Sequence, residues 1–483
     1  MVAGGTHYLR RTQAGPPSSP RHAPASPART PSPKPHPLVS PAFLSGVVEG
    51  YYGAPWSVKD TQSLLAFMAA RGFTTFVYAP KGDPYARAQW NMPYPKTRLG
   101  QLADLVKAAR AHHIQFVYSI SPGLNIVYSS AADRAALLAK VKQVASLGVR
   151  TFMLSFDDVP TVLNSPADQA LYPGGLGQAQ STLADWLIQE MRPTPGFRLL
   201  FTPTYYYGLI DGPYWTALRQ DLHPGVDVIW TGPQVLSPTI TAADARTFAS
   251  DVGHPVVIWD NYPVNDYTYT VQHAPRLFLG PIRGRSAALP SVVAGFLANP
   301  MRQARASEVA LYTLAAYLAH PGSYNPGAAL AAAVASVGAG AVPAFQTLAD
   351  DASGSFLGPS LSPLPSAIAA YENAPTAQAA ATLTADFRGM AAAETELAAG
   401  LRDRPLLGEI RPWAGELSRE GQAGLQALTL LSALQSHASA SSLSASLALA
   451  KADLLALQNP PVTLDTTAPV LSFLQQAVTR AGS

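Results

Sequence analysis

The stretch Thr151–Pro160, "TFMLSFDDVP", is apolar through Phe156 and then carries two adjacent carboxylates, Asp157 and Asp158. A short apolar run bounded by turn signals reads as a buried strand. Neighbouring side chains on a strand face opposite ways, so an extended pair of aspartates would send one of them toward the core, where an unpaired carboxylate is costly. Either the strand stops at Phe156 and both aspartates sit at its mouth, or something holds them there for chemistry.

Seven further stretches resemble this strand: "SGVVEGYYG" from Ser45, "FTTFVYAP" from Phe73, "IQFVYSISPG" from Ile114, "RLLFTPTY" from Arg198, "DVIWTGP" from Asp227, "PVVIWDNYP" from Pro255 and "SVVAGFLANP" from Ser291. Helix-period segments alternate with them, among them Ser57–Arg71, Leu99–His112, Ala131–Leu147, Gly177–Met191 and Thr241–Val252. Eight strand–helix units predict an α/β fold of the (β/α)8 barrel type. A doubly wound open sheet is the alternative, but no glycine-rich phosphate loop follows the first strand. In a parallel barrel the strand C-termini share one face, where active sites form. Glu49–Tyr52, Lys81, Ser121–Gly123, Asp157–Asp158, Tyr205–Tyr206, Trp230–Thr231, Trp259–Asn261 and Asn299 would therefore converge there.

The rest of the chain divides by composition. Residues 1–44 are rich in proline, serine and basic side chains and read as a disordered leader. The leader has no apolar h-region, so an export signal would have to lie upstream of Met1 if the chain is secreted; otherwise the cytoplasm is expected. Residues 45–325 carry the barrel pattern. Residues 326–483 are rich in alanine and leucine, with helical spacing in Ala328–Val337, Thr376–Leu401, Ile410–Gln435 and Ser439–Leu457, and predict a C-terminal helical bundle. Asp351–Ser366 reads as a loop. A net charge of +3 over 483 residues does not point to nucleic acid. With no cysteine there is neither a disulfide nor a thiolate ligand or nucleophile. No stretch offers the roughly 18 uninterrupted apolar residues of a membrane span.

The aspartate pair has three readings. The pair caps a helix or meets a basic group; or it helps bind a divalent metal, which needs further carboxylate or histidine ligands at matching strand ends, where no HxH or ExxH spacing appears, His112 and His113 falling on the opposite face; or it performs acid/base work. Two carboxylates held close cannot both ionise cheaply, so one can serve as a proton donor while the other stays charged. Glycoside hydrolysis divides labour in this way. Trp56, Trp90, Trp230, Trp259, Tyr51, Tyr52, Tyr205, Tyr206 and Tyr267, on or near the same face, add surfaces on which sugars stack.

Taken together and in order, "GVVEGYYGAPW" (46–56), "YAPKGDPYARAQW" (78–90), "SISPGLNI" (119–126), "SFDDVP" (155–160), "WTGPQV" (230–235), "IWDNYPVNDY" (258–267) and "LGPIRGR" (279–285) resemble glycoside hydrolase family 84, the β-N-acetylglucosaminidases that include protein O-GlcNAcases and hyaluronidase-like relatives. The resemblance implies a retaining, cofactor- and metal-independent mechanism in which the substrate's 2-acetamido oxygen attacks the anomeric carbon and forms an oxazoline. The implied partner is a glycan or glycoprotein bearing terminal β-linked N-acetylglucosamine (GlcNAc). By the same resemblance Asp157 orients the acetamido N–H and stabilises the developing positive charge, and Asp158 is the acid and then the base. Tyr206 and Asn261 help to fix the acetamido group. Trp259 and Thr231 line the acetyl pocket with Val235 near its edge. The Gly50 carbonyl and Lys81 meet the 3-hydroxyl region, Asp266 grips the 4- and 6-hydroxyls with Asn299 nearby, and Tyr51 and Tyr267 are further substrate-binding residues. Gly82 departs from the family pattern, which commonly has an acidic residue there. A glycan-binding barrel with weak turnover is the alternative function.

Overall fold

The computed structural model describes residues 43–482, so nearly all of the expected leader lies outside the described residues. Eight strands pair in parallel, each with the next in sequence: β1 (Leu44–Glu49), β2 (Thr75–Tyr78), β3 (Gln115–Ile120), β4 (Thr151–Ser155), β5 (Arg198–Thr202), β6 (Asp227–Trp230), β7 (Val256–Asp260) and β8 (Gly295–Ala298). The short β8 pairs with both β7 and β1 and closes the ring. The (β/α)8 barrel predicted from the strand pattern is present, and the open-sheet alternative is not.

One alternation of side chains organises the barrel. Val48, Val77, Val117, Met153, Leu200, Ile229, Val257 and Leu297, one from each strand, pack together on the barrel axis. Their strand neighbours Val47, Phe76, Phe116, Phe152, Phe201, Val228, Ile258 and Phe296 face the opposite way and join the larger core beneath the helices. Parallel strands buried on both faces need apolar residues at every position, which is why these runs read as continuous rather than alternating.

The connecting helices are α1 (Val58–Ala70), α2 (Lys96–Ala111), α3 (Ala131–Ala145), α4 (Pro166–Leu171), α5 (Gly175–Met191), α6 (Pro213–Asp221), α7 (Ala242–Val252), α8 (Asp266–Thr270) and α9 (Ala304–Ala319). Side-chain caps start several of them. Ser57 and Ser130 accept from the N–H three residues on, and Thr241 with Asp244 forms a reciprocal capping box. Only the one-turn α8 stands between β7 and the long connection to β8. That connection is pinned by Arg285, whose guanidinium bonds both oxygens of Asp260 at 2.6 and 2.7 Å in a fully buried pair.

Seven helices follow: α10 (Pro326–Val337), α11 (Val342–Asp351), α12 (Leu364–Asn373), α13 (Ala377–Gly400), α14 (Arg404–Gln435), α15 (Ala440–Leu457) and α16 (Thr467–Gly482). The sequence placed helical spacing only from Ile410, yet α14 begins at Arg404 and runs through Pro412. The proline forfeits one backbone bond, and packing on α13, α15 and α16 holds the helix regardless. α15, with mean hydropathy 1.3, is long and apolar enough to cross a membrane by length and composition alone. It escapes a search for uninterrupted apolar runs because serines, Lys451 and Asp453 break it, and here it packs on α14 and α16.

Candidate active site

The site extends the inward alternation past the strand ends. Continuing by twos from Val48 gives Gly50 and Tyr52. Val77 leads to Lys81, Met153 to Asp157, Leu200 to Thr202 and Tyr206, Ile229 to Thr231, Val257 to Trp259 and Asn261, and Leu297 to Asn299. All of these line one pocket at the C-terminal mouth of the barrel. For the residues in or next to the strands the geometry follows from the two-residue period; Tyr52, Lys81 and Tyr206, three or four residues past their strand ends, are brought in by the loops that follow.

Asp158 breaks that period and still lines the pocket. Its φ is 52°, in the left-handed region, which aspartate tolerates better than most residues. This turn brings an outward position back over the axis. Arg87 holds the turn from below: one guanidinium nitrogen donates to the Asp158 carbonyl at 2.9 Å, the other to the Asp157 carbonyl at 3.4 Å and to Ser121 Oγ at 3.2 Å.

The two carboxylates live in different surroundings. Asp157 is buried, and its Oδ2 pairs with the Lys81 ammonium, while Oδ1 is buried with no hydrogen-bond partner among the described residues. Burial alone would raise its pKa, but the charges of Lys81 and then Arg87 outweigh it and hold the carboxyl below its ordinary value. Asp158 accepts instead from two phenols, Tyr206 at 2.9 Å and Tyr52 at 2.8 Å. One aspartate is kept ionised by an ammonium; the other is held by neutral donors.

The opposite wall is an amide relay. Trp259 Nε1 donates to Asn261 Oδ1 at 2.9 Å, as does Asn299 Nδ2 at 2.9 Å. Asn261 Nδ2 in turn donates to the Val235 carbonyl at 2.8 Å, and Gly50 N–H donates to Asn299 Oδ1 at 3.2 Å. A Cβ on Gly50 would stand 2.1 Å from the Trp259 ring, so the indole closes over the pocket only because this position is glycine. Gly82, the departure from the family pattern, is likewise required by close approach, since a Cβ there would meet the Gly53 carbonyl at 2.0 Å.

Four expected contact residues are not on the pocket wall. Tyr51 is one residue off the inward alternation, so its ring packs in the core against Trp56 and its hydroxyl donates to the Ala54 carbonyl at 3.2 Å. Its neighbour Tyr52 faces the pocket instead. Tyr267 is buried and stacks on Phe278. Val235 contributes its carbonyl to Asn261. Asp266 is buried beside the pocket; its Oδ2 accepts the Tyr52 N–H at 2.6 Å, and Oδ1 is buried without a hydrogen-bond partner among the described residues. Among the aromatics, Trp90 and Trp230 are core residues, the first bonded to Asn125 and the second stacked on Phe248.

Sequence reasoning passed over Arg87 and Thr202, and it placed Tyr52 among the converging strand ends and the aromatics without giving it a contact of its own. The signal for Tyr52 and Thr202 was present, because both share the parity of Val48 and Leu200. Nothing local marks Arg87. Among the described residues no three His, Asp or Glu side chains converge to hold a metal ion, and the cation beside Asp157 is a lysine.

A closed parallel barrel with paired carboxylates at its C-terminal mouth is an architecture that glycoside hydrolases use. The family model described as beta-N-acetylglucosaminidase matches residues 45–350. The chain belongs to this family, glycoside hydrolase family 84. Protein O-GlcNAcase of Rattus norvegicus is 36% identical over 281 residues, which are 57% of this chain and 30% of that protein, and the Mus musculus protein of the same name matches equally. The chain thus matches under a third of the length of these curated relatives. A Thermobaculum terrenum O-GlcNAc hydrolase mutant has the same fold, with a TM-score of 0.84 and 30% identity, covering 90% of this chain and 94% of that one.

Proposed function

We propose that the protein is a retaining exo-β-N-acetylglucosaminidase that removes terminal β-linked GlcNAc, of the O-GlcNAc type or from a glycan, by substrate-assisted catalysis. The observation that carries this reading is the division between Asp157, ionised by Lys81 with one oxygen unpartnered, and Asp158, held by two phenols.

In the first step the substrate's acetamido oxygen attacks the anomeric carbon as the glycosidic bond breaks. Asp158 delivers its proton to the leaving oxygen. The amide nitrogen becomes positive, and its N–H donates to Asp157 Oδ1, the acceptor that no donor among the described residues uses. A charged carboxylate in a buried site stabilises that positive charge far better than water does. In the second step Asp158 takes a proton from water, which attacks the anomeric carbon and reopens the ring. Two inversions give retention. No protein nucleophile faces the sugar, so neighbouring aspartates suffice. The names of the relatives point to O-linked GlcNAc on protein as the substrate.

Release of 4-nitrophenol from its β-N-acetylglucosaminide tests the proposal, together with inhibition by a thiazoline that mimics the cyclised sugar. Equal turnover of the β-glucoside, which lacks the amide, would overturn it, as would a thiazoline that does not bind.

A further inference from the structure

The last seven helices do not simply sit beside the barrel: they hold two of its loops, those after β7 and β8. Arg276 pairs with Asp465, which lies between α15 and α16 and whose other oxygen accepts the Gly354 N–H at 2.6 Å. The Pro275 carbonyl accepts from Trp413 Nε1 of α14 at 3.2 Å and from Thr463 N–H at 2.8 Å. Where the loop after β8 enters α9, Glu409 of α14 accepts the Arg305 and Ala306 N–H groups of the first helical turn at 2.8 and 2.9 Å, which caps the N-terminus of α9 from outside.

Short bonds lead from these grips to the pocket. The Arg276 N–H donates to Thr268 of α8 at 3.2 Å, and its carbonyl accepts from Asn265 at 2.8 Å; Asp266 lies between these two residues. Asn265 also accepts the Arg302 N–H at 3.0 Å. The Arg302 carbonyl accepts from Trp56 at 2.9 Å, which ties the loop bearing Asn299 to the loop bearing Tyr52. Every link is a directed bond, and none passes through the barrel strands.

We infer that Asp465, Trp413 and Glu409 are positioning residues for the sugar-binding side of the pocket, placing Asp266 and Asn299 through the loops after β7 and β8. This rests on the proposed function, in which Asp266 meets the 4- and 6-hydroxyls. A helical bundle that only shields apolar surface would have no need to place carboxylate acceptors and an indole donor against these segments.

The test compares kcat/KM for 4-nitrophenyl β-N-acetylglucosaminide with that for its 6-deoxy analogue. The wild-type protein should favour the parent sugar. In Asp465→Ala and Glu409→Ala that preference should shrink about fivefold, mostly through KM, because a displaced Asp266 no longer reads the hydroxyl. Glu409→Gln keeps an acceptor oxygen and should restore the preference. Amides 262–276 should exchange faster in Asp465→Ala. Should that variant fail to fold, Trp413→Phe, which removes one N–H, is read in the same way. A preference unchanged from wild type, even with a lowered Tm, overturns the inference. Wild-type protein inactive on both sugars overturns the proposed function, and the inference with it.

Discussion

Asp158 is turned by its positive φ into the pocket that Asp157 enters by strand alternation, so two residues sharing a peptide bond meet different partners. Lys81 and a buried backbone surround Asp157; Tyr52 and Tyr206 hold Asp158. The difference in surroundings comes from the backbone turn.

If Asp158 is the proton donor, Asp158→Asn should slow hydrolysis of alkyl and sugar aglycones by about 10²–10⁴-fold, the range for one positioned acid. Activated aryl substrates, which leave without a proton, should lose much less. Steady-state rates across a series of leaving groups measure this, and an equal loss along the series would remove Asp158 from the acid role.

Asp157→Ala should act differently. The charge that it stabilises forms whatever the leaving group, so both classes of substrate should slow together by about 10²–10³-fold. A loss confined to poor leaving groups would contradict its assignment.

Lys81→Met removes the ammonium that keeps Asp157 ionised. Burial then acts unopposed on that side, and the carboxyl's pKa rises. In the wild type the low pKa preserves the charge as pH falls. In the variant the charge is lost at higher pH, so the acid limb of the kcat/KM profile should move up by about one unit or more. An unmoved limb would mean that Lys81 does not set the state of Asp157.

Glu49, at the end of β1 beneath Gly50, is fully buried, with Oε1 accepting the Trp56 N–H at 2.9 Å. Burial raises its pKa from 4.5 to about 8, against the lowering bonds from Trp56 and Tyr51. Between those values the folded protein keeps a proton that the unfolded chain releases, so stability falls as pH rises through this window and levels off above it. Glu49→Gln should remove that slope, gaining on the order of 4 kcal/mol relative to wild type between the two ends. Urea unfolding of both proteins across the window gives the answer, and parallel curves would show Glu49 ionised in the fold.

Much of this was legible in the chain itself. Apolar runs of four to six residues, each followed by a polar strand end, specify eight parallel strands. Once Val48, Val77, Met153, Leu200, Ile229, Val257 and Leu297 are known to point inward, counting by twos reaches Gly50, Tyr52, Lys81, Asp157, Tyr206, Thr231, Asn261 and Asn299. Tyr51 was misplaced for want of that phase: a run buried on both faces does not reveal which of its two sides points inward. Arg87 was not legible, because its task is to bond two backbone carbonyls 70 and 71 residues away.

The sequence by itself determined the barrel, the family and most of the pocket wall, since these follow from a local two-residue period and from motifs that stand in order along the chain. Tertiary structure alone decided how Asp158 turns, which tyrosine of Tyr51 and Tyr52 enters the pocket, and which loops the helical bundle grips. Those outcomes depend on contacts between segments far apart in the chain, such as Arg87 with Asp158 at 71 residues and Arg276 with Asp465 at 189, and no local pattern encodes a long-range bond.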